Sequence, residues 1–227
     1  MRFGKIEYIN LLPFDVFMKA YPMTSGTKKF LQLKKSYPSK LNKDFLFKRI
    51  DAGFISSIAG YYSYLKDKTT DSGIIAKNSV WSVIIIPNTE SEDYQSATSN
   101  ALCKVLNLKG EVLIGDRALS YRYKGGEHID MGEIWYKKRH LPFVFGRFCF
   151  NAYGDFYKNI SSAFNQKKIK LPHYIIMQYS KKVSIPKKYI LQYLEHIYYK
   201  IGPKEQLGLK SFYRELLFKK IKKPTRF

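Results

Sequence analysis

The sequence is poor in cysteine and acidic residues, and it has no long hydrophobic run. Cys103 and Cys149 are its only cysteines. Neither belongs to a CxxC or Cys/His pair with metal-ligand spacing, so no zinc site and no disulfide framework are expected. The most apolar stretch, VWSVIIIP at residues 80–87, is far short of the roughly 20 residues that a membrane-spanning helix needs. A buried strand explains it. His128, His140, His173 and His196 form no spaced constellation, and GxSxG, HExxH, P-loop and GxGxxG motifs are all missing, which disfavours nucleophilic, zinc and nucleotide chemistry. The opening residues, MRFGKIEYINLLPF, offer no uninterrupted apolar segment and no small-residue cleavage site. They read as the first strand of a mature fold, and a cytoplasmic location is expected.

The chain is rich in aromatic residues and positive charge. Its 227 residues are 45% hydrophobic, with 19 Tyr and 16 Phe, enough for one substantial core or two small ones and for a pocket that takes a planar ring. Forty Lys and Arg stand against 18 Asp and Glu, for a net +22. Such a balance raises nucleic acid or an anionic surface as a partner. However, residues 166–227 hold 16 Lys and Arg and three acids, so most of the excess decorates the C-terminal helices. A solvated basic surface is the simpler reading, and neither nucleic acid nor membrane is expected as a partner.

Hydrophobic spacing alternates strand and helix. GKIEYINLLPF reads as a strand entering a turn, and Lys40 to Arg49 as a helix with Leu41, Phe45 and Leu46 inward. Ala52 to Ile55 reads as a buried strand, followed by a helix that Ser56 and Ser57 cap. VWSVIIIP, a polar loop from Asn88 to Tyr94, a capped helix in SATSNALCKVLNLKG, the strand EVLIGD and the helix MGEIWYKKRH form a second series. LPFVFGRFCF then returns, and the remainder reads as helical, with Ile190, Tyr193, Leu194, Ile197 and Ile201 on one face and Leu209, Phe212, Tyr213, Leu216 and Leu217 on another. The order predicts two α/β lobes, residues 1–85 with 147–227 and residues 86–146, joined by VWSVIIIP and LPFVFGRF, with a ligand cleft between them. No repeat, low-complexity block or flexible linker interrupts this plan.

In open α/β sheets ligands collect beyond the carboxyl ends of strands, where helix N-termini present free N–H groups. Two serine-rich clusters occupy such places: Ser56-Ser57, and Ser96-Ala97-Thr98-Ser99. Brought together from opposite lobes, they would hold a small dicarboxylate. Serine and threonine are also the usual helix caps, which need no ligand. Asn10 and Ser82 are polar residues in apolar settings and require partners, either backbone or ligand. Asp116, Asp130 and Glu133 are the carboxylates nearest predicted strand ends, and Asp116 and Asp130 equally suit capping.

In order along the chain, KIEYINLLPF, DAGFISSIAGY, SVWSVIII, SATSNALCKVL, VLIGDRAL and DMGEIWYKKRHLPFVFG resemble the motif succession of the chorismate dehydratase family, which serves the futalosine route to menaquinone. The resemblance spans about residues 3–148. GDRAL followed by DMGEIW and LPFVF is its most diagnostic part. Lys77-Asn78-Ser79 replaces the family's usual Gly-Pro, and Arg147 stands where a small or apolar residue is common. The resemblance implies a two-lobed, type II periplasmic-binding-protein-like fold and loss of water from chorismate to give 3-[(1-carboxyvinyl)oxy]benzoate, with no cofactor and no metal. The expected catalytic residues, chosen from the positions above, are Asn10, Ser82 and Asp116, and the expected substrate-binding residues are Ser56, Ser57, Ala97, Thr98, Ser99 and Phe143. A substrate carboxylate is expected to take the proton, with Asp116 as the alternative base. A binding or sensing protein of the same fold, or polyanion binding by the C-terminal helices, are the competing readings.

Overall fold

A computed structural model describes residues 1–87 and 90–225. β1 (Arg2–Lys5) passes through a short 3-10 turn (Ile9–Leu11) into α1 (Leu12–Ala20). α2 (Ser25–Phe30), β2 (Gln32–Lys35), α3 (Pro38–Leu46), β3 (Ala52–Ser56), α4 (Tyr61–Leu65) and β4 (Thr69–Ala76) follow. The chain then leaves to form β5 (Val83–Ile86), α5 (Ala97–Leu106), β6 (Glu111–Ile114), α6 (Gly115–Tyr123), β7 (Ile129–Asp130) and α7 (Met131–Arg139). It returns as β8 (Phe143–Phe150), α8 (Gly154–Gln166), α9 (His173–Val183), α10 (Lys187–Glu195), β9 (Ile197–Lys200) and α11 (Pro203–Phe218).

These strands make two sheets, a six-stranded one in the order β2-β1-β3-β8-β4-β9 and a three-stranded one in the order β6-β5-β7. β1 lies parallel to β2 and β3, whereas the returning β8 runs antiparallel to both β3 and β4. Every residue of β3 is buried, because helices cover both faces of the larger sheet. On one face Phe14 meets Phe54 at 4.9 Å and Phe164 of α8 at 5.1 Å between ring centroids. On the other, Phe212 of α11 packs 5.0 Å from Phe143 and also reaches Trp135 of α7 at 6.3 Å. α11 therefore covers the larger sheet and touches a helix of the smaller one.

The mixed α/β architecture agrees with the sequence pattern, but several details differ. Only the first residues of each apolar run cross between sheets. β5 pairs only with β6 and β7, so Val83–Ile85, grouped above with the first lobe, lie in the smaller sheet, and β8 pairs only within the larger one. The crossings are the short segments 77–82 and 140–142. Ile197 sits in an edge strand that pairs antiparallel with β4, and Ile201 follows it. There the β-branched and aromatic run IYY prevails over the helical spacing. Leu217 is 59% exposed, because the inward stripe of α11 ends with Leu216. Of the polar loop expected at Asn88 to Tyr94, residues 88 and 89 lie outside the described residues.

The first crossing is anchored by one carboxylate. Asp130, 6% exposed, accepts hydrogen bonds from Val80 N at 3.0 Å and Trp81 N at 2.7 Å, and it caps α7 by accepting from Glu133 N at 3.0 Å. Trp81 has φ of 61°, a left-handed conformation that costs a bulky residue about 1–2 kcal/mol. Its ring is held by His196 at 4.3 Å and Tyr189 at 5.1 Å, with the Arg122 guanidinium 4.7 Å above it. Asp130→Ala removes a cap worth about 1 kcal/mol and leaves two backbone donors without their acceptor, at about 1–3 kcal/mol each. The expected outcome is a melting midpoint lower by about 10 °C, at the 2–4 °C per kcal/mol of a chain this size. Asp130→Asn, which keeps one acceptor oxygen, should lose less than half as much. Equal midpoints for wild type and Asp130→Ala in calorimetry would remove the carboxylate from this role.

Candidate functional site

A cavity lies between the two sheets at the carboxyl ends of β1, β3 and β6. The larger sheet and the segment after β1 supply Ile6, Tyr8, Asn10, Phe54, Ser56, Ile74, Phe145 and Gly146, joined by Pro38. The crossing and the smaller sheet supply Val80, Ser82, Val83, Ser96, Ser99, Ile114 and Gly115. Among the described residues, the lining contains no lysine, arginine or histidine. Its polar surface consists of hydroxyls, one amide and the starts of two helices.

α5 begins at Ser96, whose hydroxyl accepts from Ser99 N at 3.1 Å and donates to Ser99 Oγ at 2.8 Å. That bond leaves the Ser99 proton free to face the cavity. α6 begins at Gly115, whose φ of 65° and position against Tyr8 both require glycine, since a Cβ there would lie 2.7 Å from the Tyr8 ring. Asp93 connects these two helix starts. Its buried carboxylate accepts from Gln95 N at 2.8 Å, Ile114 N at 3.1 Å and Arg117 Nη2 at 2.6 Å. The N-terminal amides of both helices lack helical acceptors and carry partial positive charge, so they suit negatively charged oxygens.

Asn10 lies in the 3-10 turn, beyond the end of β1 rather than within it. Its backbone carbonyl accepts from the Tyr199 hydroxyl at 2.6 Å. Its side-chain Oδ1 is buried and has no partner. Ser82, 1% exposed, accepts from the Tyr193 hydroxyl at 2.8 Å. Asp116 stands just behind the lining, and its Oδ1 accepts from Ile9 N at 3.0 Å. It therefore props the turn that carries Asn10 instead of facing the cavity. Burial pushes the Asp116 carboxyl from 3.8 up to about 6, against the opposing effects of the Ile9 amide and the Lys182 ammonium.

The remaining predicted contacts fall elsewhere. Ser56 does line the cavity, but as the last residue of β3, where it exchanges two hydrogen bonds with Asn42: Nδ2 to Oγ at 2.8 Å and Ser56 N to Oδ1 at 3.0 Å. The Ser57 hydroxyl donates to the Val144 carbonyl at 2.6 Å and is outside the lining. No helix starts at this pair, because residues 57–60 form a turn and α4 begins at Tyr61. Thus both helix starts at the cavity belong to the smaller sheet. Ala97 is the first helical residue of α5 and does not line the space. Thr98 Oγ1 accepts from Ile58 N at 3.1 Å, a bond that joins the two sides instead of meeting a ligand. Phe143 packs between Trp135 and Phe212, and Phe145 is the aromatic residue of β8 in the lining. Arg147 is buried on the helix-covered side, with Nη2 on Thr69 Oγ1 at 3.0 Å and its guanidinium over Tyr64.

Tyr8, Gly115, Phe145 and Tyr193 were missed from the sequence. Gly115 had a local signal, the strand-glycine-aspartate sequence that begins GDRAL. The meeting of Tyr193 with Ser82 spans 111 positions and leaves no local trace. Besides the Thr98 bond, the two sides are closed by Ser39 Oγ donating to the Tyr94 carbonyl at 2.6 Å, Ser39 N to the Gln95 carbonyl at 2.9 Å, and the Tyr8 hydroxyl to Gln95 Oε1. The free space in this partly open cavity is about 50 Å³, well below the roughly 300 Å³ at the lower end of small-molecule sites. Among the described residues, no group of three or more His, Cys, Asp and Glu is placed to hold a metal ion.

The raised Asp116 value means that the folded chain binds this proton more tightly than the unfolded chain does. The group's stabilising contribution is complete below about pH 4 and is lost as pH rises through about 6, a change of at most about 3 kcal/mol. Asp116→Asn keeps an acceptor for Ile9 N and removes the titration. Its melting midpoint relative to wild type should therefore rise between pH 5 and pH 8. A constant difference across that range would show that Asp116 is not held in this way.

A family model described as menaquinone biosynthesis matches residues 105–216. The chorismate dehydratase of Campylobacter jejuni is 46% identical over 215 residues, 93% of this chain and 96% of that protein. Among solved structures, a protein from Archaeoglobus fulgidus aligns over 97% of this chain and 98% of its own with a TM-score of 0.66 at 14% identity. The periplasmic aliphatic sulphonate binding protein of Escherichia coli aligns over 100% and 95% with a TM-score of 0.57 at 13% identity. At those identities the likeness is one of fold, and that fold is periplasmic-binding-protein-like.

Proposed function

The chain belongs to the chorismate dehydratase family of menaquinone biosynthesis, and from that membership we propose that it is a hydro-lyase converting chorismate to 3-[(1-carboxyvinyl)oxy]benzoate and water. The hydrogen leaves the ring carbon that bears the enolpyruvyl ether, the neighbouring carbon loses its hydroxyl, and the ring becomes aromatic. No net oxidation occurs and no cofactor is required. Much of the driving force is in the substrate, so the protein has to supply position, charge placement and exclusion of water.

The observation that carries this reading is the orphaned Asn10 Oδ1 in a cavity whose other polar groups can donate. Chorismate as a dianion has two carboxylates, which only accept hydrogen bonds, and one donor, the ring hydroxyl. That hydroxyl is the natural partner of Asn10 Oδ1, which places the leaving group at the turn after β1. The carboxylates then fall to the Ser82 and Ser99 hydroxyls and the starts of α5 and α6. Each helix end supplies only about 0.3–2 kcal/mol, so aligned hydroxyls do the rest.

With Asp116 turned to Ile9 N, a substrate carboxylate is the proton acceptor in this reading, and the proton it takes passes on to the departing hydroxyl, which leaves as water. Among the described residues no helix is long and apolar enough to cross a membrane. A cytoplasmic location and a place on the futalosine route are part of this proposal. The lysines of the C-terminal helices stand outside the cavity lining, so recognition of the substrate does not depend on them, and nucleic acid is not the expected partner.

Incubated with chorismate, the purified protein should yield a product lighter by one water in mass spectrometry. Binding without conversion would instead support a sensing or carrier role. Asn10→Ala and Ser82→Ala should each lower kcat by about tenfold to several hundredfold, the range for removing one aligned polar group, with melting midpoints close to wild type. Unchanged rates in both would discredit the assignment.

A further inference from the structure

Tyr193 is 1% exposed, on α10, in the basic C-terminal region. Its hydroxyl is the donor in the 2.8 Å bond to Ser82 Oγ. A serine hydroxyl has one proton and two lone pairs. With one lone pair engaged by the phenol, the Ser82 proton has to point elsewhere. Ser82 lines the cavity, and among the described residues no acceptor takes that proton.

The reverse bond, from serine to phenol, would leave the buried phenolic proton in need of its own acceptor. Burial, with Asp116 and Asp130 nearby, holds the Tyr193 phenol well above its ordinary value of 10, so it stays protonated at any working pH.

We propose that Tyr193 is a positioning residue that fixes the direction of the Ser82 hydroxyl proton, so that Ser82 meets the substrate as a donor already aimed at a carboxylate or departing oxygen. This deepens the reading of the site as a chorismate dehydratase and rests on it. A donor whose direction is set in advance needs no reorganisation when charge develops, and this matters in a cavity with no cationic side chain. Tyr199 acts in parallel on the Asn10 carbonyl, so α10 and β9 form the rear support of the site.

The test is a double-mutant cycle in kcat/KM on chorismate with wild type, Tyr193→Phe, Ser82→Ala and the double variant. Phenylalanine keeps every ring contact and removes only the donor. Tyr193→Phe should lower kcat/KM about tenfold when Ser82 is present and less than about twofold when Ser82 is alanine, because one effect runs through the other. An equal loss in both backgrounds, no loss in either, or failure of Tyr193→Phe to fold would each assign Tyr193 to packing and overturn the proposal. If the wild type binds chorismate without converting it, the dehydratase reading fails, and the same cycle measured in Kd by calorimetry still tests Tyr193. If it neither binds nor converts, both readings fall together.

Discussion

The organising constraint of this molecule is that the cavity proposed to take a doubly charged ligand has, among the described residues, no positively charged side chain in its lining. A lysine or arginine tolerates loose placement, because Coulomb attraction falls slowly with distance. Hydroxyls and amide N–H groups do not, since their attraction weakens steeply with angle. A site built from neutral donors must therefore hold each of them in advance. Asp93 fixes the starts of α5 and α6, Asp130 fixes the crossing that carries Ser82, Asn42 fixes Ser56, and Asp116 fixes the turn that carries Asn10. The carboxylates near the site face backbone amides instead of the ligand, which keeps their negative charge occupied.

The same constraint explains why the cavity is assembled from two sheets. The crossing and the smaller sheet contribute Ser82 and both helix starts, whereas the segment after β1 contributes Asn10 and Tyr8. The bonds that join the two sides are individually modest: Thr98 to Ile58, Ser39 to Tyr94, Tyr8 to Gln95, with a net contribution of about 1 kcal/mol each. Neutral donors gain most where the dielectric is low.

Much of the fold was legible because it is written in local spacing. The apolar period around Leu41 and Phe45, the run through Ala52 to Ile55 and the cap-helix-strand series from Ser96 to Ile114 all became the expected elements. Where the reading failed, a long-range contact prevailed. Ile197 belongs to a strand because the edge of β4 was available to pair. Ser57 was removed from the site by the Val144 carbonyl, and Phe143 by Trp135 and Phe212. The serines of the site could be suspected from sequence, since any of them could cap or bind. Which role each took depended on acceptors tens of residues away.

Positive charge was the most visible property of the sequence and the least informative about the site. The C-terminal third looks peripheral when its lysines are counted, yet it contains Tyr193 and Tyr199, whose hydroxyls bond to Ser82 Oγ and to the Asn10 carbonyl. A tyrosine suits this task because its rigid ring is held by packing while its single donor reaches beyond the apolar layer. Lys188 and Lys200, which flank them in sequence, are exposed, so one amphipathic segment faces water on one side and the cavity region on the other. Charge counted along the chain averages over both faces, and it conceals a functional element whose important groups are neutral.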